Sequence, residues 1–146
     1  MQIRQATRED LPAIHSLVEE LAIYEKEPAA FVATLEEYQR DFDSGWFEAI
    51  VAESEEVGII GMAVYYETFS TWKGRMLYLE DFVVTVSHRK SGVGQLLFDR
   101  VLEIGRQKSC RLVKWQVLDW NEPALRFYRK NKAEIEAGWW NGKVYL

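Results

Sequence analysis

The chain has 146 residues, of which 48% are hydrophobic, with 18 basic and 23 acidic side chains and a net charge of −5. That length suits a single domain, residues 1–146, with a real core, and the composition excludes disorder as the main state. No apolar run approaches the roughly 18 residues of a membrane-spanning helix, and the net charge argues against nucleic-acid binding.

The net charge hides a division. Residues 1–85 carry 17 acidic and 6 basic side chains, whereas residues 86–146 carry 12 basic and 6 acidic ones. There is one cysteine, Cys110, so no intrachain disulfide framework is expected. Only His15 and His88 join that thiol, so no Cys/His metal site is expected either. The opening Met-Gln-Ile-Arg-Gln-Ala lacks an apolar signal region. A cytoplasmic location without a membrane partner follows as the expectation.

In chain order, residues 2–6 read as a short strand. Thr7 and Asp10 form a capping box before Leu11, Ile14, Leu17, Val18 and Leu21, which recur at helical spacing. Thr34 and Glu37 repeat the signal for a shorter helix. Residues 46–53 and 59–69 read as strands around a turn at 55–58, residues 70–74 as a loop, and residues 75–86 as a long strand rich in aromatic and β-branched residues. A helix follows Gly92 and runs to about Ser109, with Val93, Leu97, Val101 and Ile104 on one stripe. Residues 111–118 read as a strand. Asn121-Glu122-Pro123 opens a last helix to about Asn131, since Asn caps well and proline fits the first turn. Strands near 133–137 and 139–146 complete an α/β domain with a mixed sheet.

Four constellations carry chemistry. Arg89-Lys90-Ser91-Gly92-Val93-Gly94-Gln95 lies between a strand and a helix, where converging amides, a helix dipole and two cations suit an anion. It is not a Walker A loop, and Leu97 stands where a dinucleotide fingerprint needs its third glycine. A tight turn alone also accounts for its glycines. Glu80-Asp81 interrupts an apolar strand, where alternation sends the two to opposite faces; solvation at a strand end or arginine pairing are the plain alternatives. Tyr128 lies two helical turns after Asn121 on the same face, able to protonate a leaving thiolate or simply to pack beside Phe127. Tyr24, Glu25, Glu27, Tyr65, Tyr66 and Trp72 form a set that can hold an organic cation, although core and surface roles account for most of them equally well. No nucleophile partners either histidine, so a Ser/His/Asp hydrolase finds no support.

The Arg-x-x-Gly-x-Gly loop between strand and helix resembles the acyl-CoA signature of the GNAT acetyltransferase superfamily. Glu20 to Glu25, Leu77 to Phe82, and Trp120 to Pro123 with Phe127-Tyr128 resemble the diamine (spermidine/spermine) N-acetyltransferase family over nearly the whole chain. The resemblance implies a mixed, mostly antiparallel twisted sheet with a V-shaped splay, flanked by about four helices. It implies acetyl transfer from acetyl-CoA to a primary amine of a small polyamine or diamine, by direct attack in a ternary complex, with no metal. Backbone groups of Phe82, Val83 and Val84 would hold the pantetheine and thioester. Amides from Arg89 through Lys90, Ser91, Gly92, Val93, Gly94 and Gln95 would hold the pyrophosphate. Asn121 would contact the cofactor, and Tyr128 would protonate the CoA thiolate. Glu80 would accept the amine proton, and Tyr24, Glu25, Trp72 and Glu80 would line the acceptor side. A homodimer with shared acceptor sites is also implied.

Two other activities fit the loop: acetylation of a protein lysine or N-terminus, and a regulatory acyl-CoA-binding module without turnover. Four departures from the family stand out. Lys90 and Lys132 replace glycines, Ser70 replaces an acid, and the chain stops at Leu146 before the family's tail. Asn131 is expected to supply the left-handed cap that Lys132 cannot take easily.

Overall fold

The third strand lies at the centre of the sheet with the second beside it, and the apolar residues of both serve the two faces of the sheet. The computed structural model describes residues 1–146 and divides into two compact units, Met1–Gln116 and Val117–Leu146.

The first unit runs β1 (Gln2–Gln5), α1 (Leu11–Tyr24), α2 (Leu35–Asp43), β2 (Glu48–Ser54), β3 (Gly58–Ser70), β4 (Gly74–Val84), α3 (Val93–Gln107) and β5 (Leu112–Lys114). The strands lie in chain order across one sheet, antiparallel except for the parallel β4–β5 pair. On one face Ala49, Val51, Met62, Val64 and Val83 pack with Leu11, Ile14 and Leu17 of α1. On the other, α3 buries Leu97, Phe98, Val101 and Ile104. Gly61 marks the closest approach there: a Cβ would meet Leu97 Cδ1 and the Val83 carbonyl oxygen, each at 3.1 Å.

Both capping boxes form. The Thr7 amide donates to Asp10 Oδ2 at 2.8 Å, although a 3-10 turn over Arg8–Asp10 precedes α1. Thr34 and Glu37 exchange backbone-to-side-chain bonds of 2.7 and 3.2 Å. Arg4 grips both Asp10 oxygens at 2.7 and 2.9 Å, which holds that carboxyl below its ordinary range.

The register of β3 against β4 contains one irregularity. Val64 pairs with Asp81 and Tyr65 with Leu79, so Glu80 is the extra residue of a β-bulge. Leu77 reaches α3 before the bulge, as its approach to Gly105 shows, while Val83 joins the α1 core after it. Phe82 consequently lies on the α3 side, its ring 6.0 Å from that of Phe98. Strict alternation would have put Leu77 and Val83 on one face. The expectation that Glu80 and Asp81 point to opposite faces is thereby corrected, because the extra residue turns both toward the α1 face.

The bulge also bounds β5. Pairing covers only Met76–Leu112, Leu77–Val113 and Tyr78–Lys114, rather than the expected 111–118. A bulge bends its strand and ends regular pairing, so β4 diverges from β5 just past Tyr78.

The second unit contains α4 (Glu122–Lys130). Asn121 Oδ1 accepts the Ala124 amide at 3.4 Å, as the expected cap. Residues 133–146 form neither expected strand. Alternating apolar residues need a neighbouring ladder, and this unit holds no other strand.

All four α-helices end in the same paired bonds. Glu27, Trp46, Cys110 and Ala133 amides donate to the Ala22, Asp41, Gly105 and Tyr128 carbonyls, while Lys26, Gly45, Ser109 and Lys132 bond to Ile23, Phe42, Arg106 and Arg129. This is the Schellman arrangement, which needs a left-handed residue. Only α2 supplies glycine. Lys26, Ser109 and Lys132 take φ of 64°, 57° and 61°, whereas Asn131 remains at −86°, contrary to its expected role. Lys26→Gly, Ser109→Gly and Lys132→Gly should each stabilise the fold by about 1 kcal/mol, less the entropy glycine adds to the unfolded chain. Alanine at the same positions should give no gain, and urea unfolding midpoints will separate the two series.

Candidate functional site

The bulge gathers a carboxylate cluster on the α1 face. Tyr66 and Tyr78 are register partners whose rings stack at 5.4 Å, and the Tyr66 hydroxyl donates to Glu80 Oε2 at 3.0 Å. Asp81 is partly buried. Burial pushes its carboxyl up to about 7, and the charges of Glu80 and Glu25 add to the shift. Burial also raises Glu25 at the C-cap of α1. Tyr38 of α2 is pushed up to about 12 by burial and by the charges of Asp81 and Glu80. Tyr66 and Tyr78 are raised by burial first and by Glu80 second. Three carboxyls from α1 and β4, with phenol rings from α2, β3 and β4, thus form an electronegative, aromatic-walled surface suited to an organic cation.

Trp72 stands apart from this cluster. It is 83% exposed at the tip of the β3–β4 hairpin, and the six residue steps from Gly74 to Glu80 span about 20 Å of strand. Tyr65 also lies elsewhere, buried with its hydroxyl between Gln5 and Glu48. Tyr38 and Tyr78 join this cluster without having been singled out in the sequence, and Asp81, singled out there with Glu80, was given no role of its own. The adjacent Glu80-Asp81 pair was the signal, but alternation separated the two.

The donor side lies beyond the end of β4. After Phe82, Val83 and Val84, a 3-10 turn over Val86–His88 leads into residues 89–95. Lys90 takes φ of 61° and Gly92 of 88°, so the loop carries two left-handed residues. The Ser91 hydroxyl donates to the His88 carbonyl. Leu96 gives the first amide bond back to Gly92, so the amides of Gly92, Val93 and Gly94 open the helix. A Cβ at Gly94 would meet the protein only at 3.8 Å or more, from Val84 and Phe82 side chains. The protein's own packing therefore does not demand this glycine, whereas close approach of a phosphate to the backbone would. The loop thus fits a phosphate-bearing donor, with Arg89 and Lys90 as its cations.

Arg89 is already engaged: Nε donates to the Val84 carbonyl at 3.0 Å, and its guanidinium carbon lies 5.2 Å from the Tyr24 ring centroid. In the second unit, Tyr128 is buried two turns after Asn121, edge-on to Phe127 at 5.6 Å.

The profile of the acetyltransferase (GNAT) family matches residues 5–132. The chain is 34% identical to a thialysine N-epsilon-acetyltransferase from Bos taurus, covering 97% of this chain and 89% of that one. It is 32% identical to a human spermidine/spermine N(1)-acetyltransferase-like protein, covering 94% of this chain and 21% of that protein. Among solved structures, an aminoglycoside acetyltransferase from an uncultured soil metagenomic sample superposes with a TM-score of 0.81 at 21% identity, over 99% of this chain and 95% of that one. This last likeness concerns the fold.

The raised Asp81 carboxyl sets a pH dependence. Between about pH 4 and 7 the folded chain keeps a proton that the unfolded chain has lost, so stability falls as pH rises through that window. Asp81→Asn should therefore melt above the wild type at pH 8, and the gap should close toward pH 4. Thermal unfolding across that range is the measurement, and a gap independent of pH would contradict the burial of Asp81.

Proposed function

The chain belongs to the acetyltransferase (GNAT) family and is an N-acetyltransferase; from that premise we propose that it moves an acetyl group from acetyl-CoA to a primary amine of a small polyamine or diamine. The observation that carries the acceptor class is the set of three carboxyls among tyrosine rings: Glu80 and Asp81, turned to one face by the β4 bulge, and Glu25 at the end of α1. The relatives named for thialysine and spermidine/spermine support the same class.

A primary amine with a pKa near 10.4 is an ammonium ion at neutral pH and has no lone pair to attack with. The carboxyls attract the cation, and Glu80 takes its proton, directly or through water. Acetyl-CoA supplies an acetyl group already activated as a thioester. Amides at the end of β4 stabilise the oxyanion as the amine nitrogen bonds to the carbonyl carbon. As the C–S bond breaks, Tyr128 gives the departing thiolate its proton, the role the family resemblance assigns it. Protons balance, with one lost from the ammonium and one gained by the thiol. Both substrates bind together, so no covalent enzyme intermediate is needed.

The donor loop holds phosphates through the amides of Gly92 to Gly94 and the charge of Lys90. The whole chain acts as one catalytic domain and pairs with a second copy, whose hairpin tip brings a Trp72 ring to the acceptor side that this chain's own hairpin does not reach.

An acetylation screen over spermidine, spermine, putrescine, lysine analogues and a histone-like peptide, read by release of free CoA, tests the acceptor. Turnover with the small diamines and none with the peptide is expected; peptide acetylation alone would replace this reading. Tyr128→Phe should lower kcat by about 100-fold while CoA still binds, the size typical of losing a general acid. Unchanged turnover would remove its role.

A further inference from the structure

Arg89 is the first cation of the donor loop, yet its side chain turns back onto the protein. Its Nε is tethered to the Val84 carbonyl at 3.0 Å, and the guanidinium lies over the Tyr24 ring at 5.2 Å. Tyr24 is the last residue of α1, an element otherwise packed on the opposite side of β4 from α3. We propose that Tyr24 is a positioning residue for the donor loop, its ring clamping the Arg89 guanidinium so that the loop is set for the phosphates of acetyl-CoA. The proposal rests on the reading of residues 89–95 as the donor loop, and it moves Tyr24 from the acceptor side, where the family resemblance puts it.

Three features carry the assignment. The contact joins a cation to an aromatic face within the 6 Å over which the ring quadrupole acts. The Val84 tether fixes one edge of the guanidinium, so the ring and the carbonyl together hold a side chain that is otherwise free to sample many rotamers. Ordering it before the donor arrives lowers the entropy lost on binding. Glu25, the next residue, belongs to the acceptor carboxyls, so consecutive residues at the end of one helix serve the two substrates.

Calorimetric titration of the full chain with CoA, alongside amine kinetics at saturating acetyl-CoA, tests this. Tyr24 is 36% exposed and can be replaced without opening the core. Tyr24→Leu should weaken CoA two- to fivefold, Tyr24→Phe should keep wild-type affinity, and the KM for the amine should change less than twofold in both. In an Arg89→Ala background, Tyr24→Leu should have no further effect on CoA affinity. If Tyr24→Leu leaves CoA affinity unchanged, or lowers it equally with and without Arg89, the clamp is overturned and the donor loop stands. If Arg89→Ala itself leaves CoA affinity unchanged, the donor-loop reading fails and the proposal fails with it.

Discussion

The extra residue in β4 is the constraint on which the site depends. A regular strand places alternate residues on alternate faces, so Leu77, Leu79, Asp81 and Val83 would share one side. Inserting Glu80 without a partner shifts the phase midway along the strand. Leu77 before it still reaches the α3 face, Val83 after it still joins the α1 core, and two carboxyls emerge together between them. The divergence from β5 begins at the same place, so one local irregularity both assembles the acidic cluster and opens the sheet edge.

The two faces of β4 then divide the work. Phe82 and Val84 lean toward α3 and the glycine loop, while Asp81 lies with Glu25, Tyr38 and Tyr66 on the side of α1 and α2. The uneven charge along the chain acquires a physical meaning here. The clustered carboxyls belong to the acidic residues 1–85, and the loop cations to the basic residues 86–146. Under the proposed reaction, the two oppositely charged substrates would meet opposite sides of one strand.

Much of this was legible in the residues. The Thr34/Glu37 box and the Asn121 cap formed as read, because capping is local chemistry. The glycine loop was legible because Gly92 answers a backbone requirement. What failed depended on distant partners. The C-terminal strands had a strand-like pattern and no ladder. The length of β5 was set by a bend in another strand, and the shared face of Glu80 and Asp81 by a register slip against β3. Solvation or arginine pairing stayed open for Asp81 on sequence alone, because the neighbours that crowd it come from the end of α1 and from α2. Lys90 and Lys132, which stand where the family resemblance expects glycine, both take left-handed backbone geometry.

The Schellman closures have a bearing on the acidic face as well. They are made from backbone amides and carbonyls alone, so neither ionic strength nor titration of side chains weakens them. The α1 closure follows directly on Glu25. The helix end that carries this carboxylate is therefore a fixed mount: charge on the surface beside it can change while the main chain beneath keeps its place.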